Sequence, residues 1–164
     1  MSFISPVFNK KEKKTNEKSS MGSSMAGLFS KYLIFHGAII ILIGLFSGLI
    51  YWQMIIRKKS PEVIHVWQMA HVFLVIEGMF IVIMGPVIPH LALNGLAVRI
   101  FVWMMVSSGY GFSWAFIGGA WKGYRGLTPK PYGLNTILFL GHFIGMGGSL
   151  IGVAMVIYAS LKAI

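Results

Sequence analysis

Val66-Trp67-Gln68-Met69-Ala70-His71-Val72-Phe73-Leu74-Val75-Ile76-Glu77-Gly78-Met79-Phe80-Ile81-Val82-Ile83-Met84-Gly85-Pro86-Val87-Ile88 is an apolar run that carries two ionisable side chains, His71 and Glu77, in its interior. A hydrocarbon layer of about 30 Å needs roughly 20 helical residues to cross it, and this run is long enough. A carboxyl and an imidazole at that depth are costly to hold, so they are read as a buried functional site rather than as surface residues.

Outward from this run, the rest of the chain repeats the pattern. Hydrophobic residues make up 56% of the 164 and charged residues only 11%, where a soluble domain carries about 25% charged. The mean hydropathy is +0.75. Four stretches of spanning length stand out, at about 32–55, 63–88, 96–118 and 136–161. The fold class expected is therefore an all-α membrane protein, a four-transmembrane-helix bundle over residues 31–164. Residues 1–30 are expected to form a basic, disordered N-terminal tail. That tail does not read as a secretory signal, because the Lys10 to Lys18 cluster is followed by Ser and Gly and then by a span too long for a signal core.

Four crossings put both termini on one side. Lys10, Lys11, Lys13, Lys14, Lys18, Lys31, Arg99 and Lys162 fall on that side, and Arg57, Lys58, Lys59, Lys122, Arg125 and Lys130 on the other. Eight cations against six favours cytoplasmic termini, and a bacterial inner membrane is the expected location. The net charge of +10 sits mostly in the tail, where anionic lipid headgroups are a better match than nucleic acid, and no nucleic-acid partner is expected.

The chain has no cysteine, which removes disulfides, thiolate-held iron–sulfur clusters and a cysteine nucleophile. Neither a phosphate-binding Walker loop nor a Gly-x-Ser-x-Gly elbow is present. Pro61 suits the first turn of the second helix, and Pro86 and Pro89 end it. The short crossing Leu91 to Gly95 makes the second and third helices antiparallel neighbours. Gly141, Gly145, Gly148 and Gly152 form a small-residue stripe that reads as close helix packing. Trp52, Trp67 and Trp121 fall at one interface level and are expected to form an aromatic belt.

Depth sorts the five histidines. His65 and His90 are interfacial, and His36 lies about one turn inside the first span, where a hydrogen bond across a helix pair is expected. His71 and His142 each lie about two turns in from the same face and are expected at similar depth. A neutral imidazole in an apolar bundle is a natural haem iron ligand, with a hydrogen bond on its other nitrogen setting the tautomer. Glu77 is six residues beyond His71, about 9 Å along the axis and about 120° round the helix, too far for a direct bond between them. Glu77 is expected to face another part of the same cavity as a proton donor. The plainer readings are an ion pair with Arg99 or a neutral carboxyl bonded to Ser107 or Tyr110.

The residues His36-Gly37, Ala70-His71, Gly78-Met79, Arg99 and Arg125-Gly126-Leu127-Thr128, in this order and spacing, resemble the styrene oxide isomerases, small four-span bacterial membrane proteins that bind haem b. The resemblance covers roughly 130 residues. It implies that His71 is the axial ligand of a ferric haem b, that Arg125 also belongs to the cofactor site, and that the assembly is a homotrimer with haem near subunit contacts. It further implies that the iron acts as a Lewis acid in a redox-neutral opening of a small lipophilic epoxide to a carbonyl.

The chain departs from that family at two positions. The family's substrate-positioning asparagine falls at Glu77, and its active-site tyrosine falls at Phe116. Tyr110, six residues before Phe116, is again about 9 Å away and rotated by about 120°, so it does not simply replace that phenol. Three readings follow. In the first, a haem-dependent epoxide isomerase, His71 holds the iron, Glu77 orients or protonates the substrate, and Phe116, Tyr110 and Trp114 line the pocket. Met104 and Met105 are further lining candidates. The second is a haem cytochrome, sensor or carrier with His142 as second axial ligand. The third is a structural membrane subunit without cofactor.

Overall fold

The computed structural model describes the backbone of residues 6–123, 126–130 and 132–163, and within those ranges the side chains of residues 25–162. Four helices account for it: α1 Pro6–Ile56, α2 Pro61–Val87, α3 Gly95–Lys122 and α4 Leu134–Ala163, with a one-turn 3-10 helix at Ile88–His90. Each contains a stretch apolar and long enough to cross a bilayer, at Met25–Ile56, Pro61–His90, Gly95–Lys122 and Leu134–Lys162. The protein is an all-α, integral membrane four-helix bundle.

The first span starts earlier than the sequence reading placed it, and α1 runs back as helix to Pro6, through the stretch expected to be disordered. Lys and Glu are good helix formers, and between Pro6 and Gly22 no Gly or Pro interrupts them. α2 opens with Pro61 in its first turn after Ser60. Pro86 does not end α2 at once, since the helix continues to Val87 before tightening to the 3-10 turn. Asn94 caps α3, its side-chain oxygen accepting from the Ala97 N–H at 2.8 Å. α3 ends at Gly123, whose φ of 72° is a left-handed stop that glycine adopts without a Cβ penalty.

The helices pack as two close pairs, α1 with α2 and α3 with α4, and α3 joins the pairs by touching both α1 and α2. Glycines make these approaches possible. A Cβ on Gly37 would lie 2.8 Å from the Gly78 carbonyl oxygen, and one on Gly78 would lie 2.8 Å from the Gly37 carbonyl oxygen, so α1 and α2 meet backbone to backbone. On α4, Gly141, Gly145, Gly148 and Gly152 face Gly111, Phe112, Ser108 and Met105 of α3, which makes the stripe a packing surface. The core between α1, α2 and α3 holds Leu33, Ile40, Ile81, Ile88, Phe101, Val102 and Met105. Large apolar side chains such as Phe35, Phe46, Ile76, Trp103 and Leu150 cover the outside, as a lipid-facing surface requires. Of the three interfacial tryptophans, Trp52 and Trp121 are exposed, but Trp67 is 5% exposed and packs edge-on against Trp121 at 6.4 Å. The belt residue Trp67 is thus a core residue that meets the belt.

Candidate functional site

His71 sits on the α1 side of α2. Its Nδ1 lies 2.9 Å from the carbonyl oxygen of Gly44, an acceptor only, so Nδ1 carries the hydrogen and donates it. Nε2 is then the nitrogen with the free lone pair. The ring rests against Gly48, where a Cβ would fall 2.6 Å from Nδ1 and 2.8 Å from Cε1. Two glycines one turn apart on α1 thus make the seat: Gly44 supplies the carbonyl and Gly48 the room. This donor chemistry suits a haem iron, because the hydrogen bond that orients a ligating imidazole is already in place.

Glu77 points elsewhere. It is 8% exposed, and its Oε1 accepts from the Ser108 hydroxyl on α3 at 2.7 Å and, at 3.4 Å, from Ser149 on α4. The Ser108 oxygen also lies 2.8 Å from the Gly145 carbonyl oxygen and 2.6 Å from Ser149 Oγ. The partners anticipated from sequence are engaged differently. Arg99 is exposed, and Tyr110 is bonded through its hydroxyl to His36 Nδ1 at 2.9 Å, tying α1 to α3. The serine that reaches Glu77 is Ser108 rather than Ser107.

One turn of helix from this network is an aromatic cluster. Phe73 packs on Phe116 at 4.7 Å and Phe112 at 5.0 Å between ring centroids, and Phe116 packs edge-on against His142 at 5.1 Å. His142 Nδ1 is 3.1 Å from the Leu138 carbonyl oxygen one turn back on its own helix. The structure therefore gathers Glu77, Phe116 and His142 along one α2–α3–α4 seam, while His71 faces α1. Phe73 shares the level of Phe116 and His142 and is about 3 Å along α2 from His71, so the two histidines are at similar depth on different sides of α2.

Tyr110 and Trp114 occupy a third place. They line a groove of about 610 Å³ between α1, α3 and α4, with Ile43, Ser113, Trp121 and Leu138 among its walls. Phe116, on another side of α3, is not part of it. Met105 is fully buried in the core and Met104 packs by its carbonyl against Gly148, so neither lines that groove.

Arg125 lies outside the described residues. The loop beside it is pinned by a residue that the sequence reading did not single out, Asn135, buried at the start of α4. Its Nδ2 donates to the carbonyls of Thr128 and Lys130 at 2.7 and 2.8 Å, and its Oδ1 accepts from the Gly126 N–H at 3.2 Å. That bond draws Gly126 over α4, where a Cβ would approach His142 Nδ1 to 3.2 Å. A polar residue opening an apolar span was the available signal. Among the described residues, no cluster of three or more His, Asp or Glu forms a metal cage.

Compared with known proteins, residues 29–161 match the family model described as styrene oxide isomerase. No curated protein and no solved structure matches the chain.

Proposed function

The chain belongs to the styrene oxide isomerase family, and from that membership we propose that it binds haem b and converts a small lipophilic epoxide to the corresponding carbonyl compound. The observation that carries this reading is the seat of His71, with Nδ1 committed to Gly44, Gly48 leaving room for the ring, and Nε2 free for iron. When bound, haem supplies a Lewis-acidic iron that polarises the epoxide oxygen.

The chain's own residues do the remaining work. His71 holds and orients the cofactor, and Arg125 is assigned to the same site. Glu77 takes the substrate-positioning place, offering a hydrogen bond to the substrate's oxygen. Phe73, Phe112 and Phe116 keep the seam dry, which matters because water would trap the electron-poor carbon of an opening epoxide as a diol. The family resemblance implies a homotrimer, and that is the assembly we assign; His71 and Glu77 look to different sides of α2, which suits a site shared between neighbouring chains. In a closed ring, the His71 side of one chain meets the α2–α4 seam of the next. The groove lined by Tyr110 and Trp114 gives a lipophilic substrate or a lipid chain an apolar surface to lie against. The reaction consumes no electrons. The eight-to-six cation bias supports termini on the cytoplasmic side of a bacterial inner membrane.

The test is turnover of detergent-purified, haem-loaded protein on styrene oxide and a panel of aryl and alkyl epoxides, followed by gas chromatography. The expected product is the aldehyde or ketone, without diol and without added reductant. No conversion of any epoxide by protein carrying a full complement of haem would retire the isomerase reading.

A further inference from the structure

Two serines that the proposed reaction has not used converge on Glu77. Ser108 is fully buried on α3 and donates to Oε1, and Ser149 on α4 donates to the same oxygen. Among the described residues, Oε2 has no hydrogen-bond partner, yet no buried side-chain oxygen or nitrogen lacks one. Oε2 therefore keeps the accessible surface of a residue that is only 8% exposed. Packing between the helices that meet at Glu77 is uneven, since α4 packs on α3 and makes no extensive contact with α2.

A carboxyl used only to bond helices would spend both oxygens. Here three helices meet at one oxygen and leave the other outward. The partners of Oε1 are neutral hydroxyls, and a carboxyl buried among such groups is stable in its neutral form. Ser108 has one hydrogen and two acceptors in reach, Oε1 at 2.7 Å and the Gly145 carbonyl at 2.8 Å; given to Oε1, the nearer, it makes Oε1 an acceptor in a carboxyl that carries its own hydrogen on one oxygen. The hydrogen then belongs on Oε2.

We propose that Ser108 and Ser149 are positioning residues that fix Glu77 as an O–H donor, with Oε2 turned out of the network toward the substrate's oxygen. This rests on the epoxide isomerase reading and adds to it the residues that aim its acid. The hydrogen is shared in a hydrogen bond and stays on Glu77, so the isomerisation remains balanced without a proton acceptor. Ser149 Oγ, 2.6 Å from Ser108 Oγ, holds the Ser108 hydroxyl on the seam side of α3.

The chain suits an infrared test, because it has only four acidic side chains, Glu12, Glu17, Glu62 and Glu77, and Glu77 alone is buried among those described. Infrared spectra of the haem-loaded protein are compared with those of Glu77→Gln, Ser108→Ala and Ser149→Ala. The expected result is a neutral-carboxyl band in the native protein that vanishes in Glu77→Gln and moves to higher frequency in Ser108→Ala, as its carbonyl loses a donor. Turnover of styrene oxide by Ser108→Ala is expected to fall roughly 10- to 100-fold in kcat, with KM and the haem spectrum little changed. Ser149→Ala, at a half-buried and more forgiving site, is expected to show the same changes in smaller measure. Absence of the band in the native protein, or a band and kcat that neither serine variant alters, overturns the proposal. If the native protein holds haem but turns over no epoxide, the isomerase reading fails by itself, and the infrared comparison still decides whether the serines fix Glu77.

Discussion

His71 and Gly48 are matched across the α1–α2 interface: the imidazole ring occupies the space that any Cβ at position 48 would take, 2.6 Å from Nδ1. The same α1 turn presents the Gly44 carbonyl to that nitrogen at 2.9 Å. The helix pair that builds the fold thereby also aims the imidazole proposed as the haem ligand. A change on α1, which supplies no ligand itself, is expected to alter the cofactor.

Gly48→Ala should push the ring off its carbonyl partner. The expected outcome is a lowered haem content and a shifted Soret band after purification, with helical circular dichroism retained. Haem content equal to that of the native protein would show that the ring has another resting place.

His71→Ala is expected to abolish haem retention, measured by pyridine haemochrome, whereas His142→Ala should keep it. His142 lies beyond Phe116 on the seam and His71 faces α1, so they are not expected to hold one iron together within a chain. A ferric spectrum of the low-spin, bis-histidine type that disappears in His142→Ala would favour the cytochrome reading instead.

The depth of Glu77 and of both inner histidines was legible in sequence, because a polar residue inside an apolar run of known length can be placed along the helix axis. Rotation about the axis was not. Helices in lipid are apolar on all sides, so no amphipathic phase marks which side faces the core. That is why the sequence points to Ser107 where Ser108, 100° further round, is the partner. It is also why Phe116 was grouped with Tyr110 and Trp114 although they line different sides of α3. Trp67 looked like a belt residue by level, and only tertiary packing shows it buried.

Close backbone approach sets the stability of the α1–α2 pair. Gly78→Ala would place a Cβ 2.7 Å from the Ile41 nitrogen and 2.8 Å from the Gly37 carbonyl oxygen, and neither atom is a flexible chain end. A loss of about 1–3 kcal/mol is expected, read as a lower thermal midpoint in detergent. An unchanged midpoint would mean that the helices separate there at no cost.

Ser108→Ala removes the hydroxyl shared by Glu77, Ser149 and the Gly145 carbonyl. About 1–3 kcal/mol of stability should be lost with it, since Glu77 Oε1 keeps its polar atom without this donor. Denaturation in a mixed-micelle titration measures the difference, and a value near zero would mean that another donor takes its place.

The absence of cysteine makes the orientation directly testable. Lys59→Cys, in the exposed turn between α1 and α2, should react with an impermeant maleimide added outside intact cells, whereas Ser160→Cys near the end of α4 should react only after permeabilisation. The reverse pattern would invert the orientation assigned from the cations.

The most direct test of the account is an absorption spectrum of the detergent-purified protein before and after dithionite, with a pyridine haemochrome assay for stoichiometry. The account predicts one haem b per chain, ferric and high-spin as isolated, and lost in His71→Ala. A protein that stays colourless after haem supplementation would contradict it, leaving His71 and Glu77 as polar groups that only hold helices together.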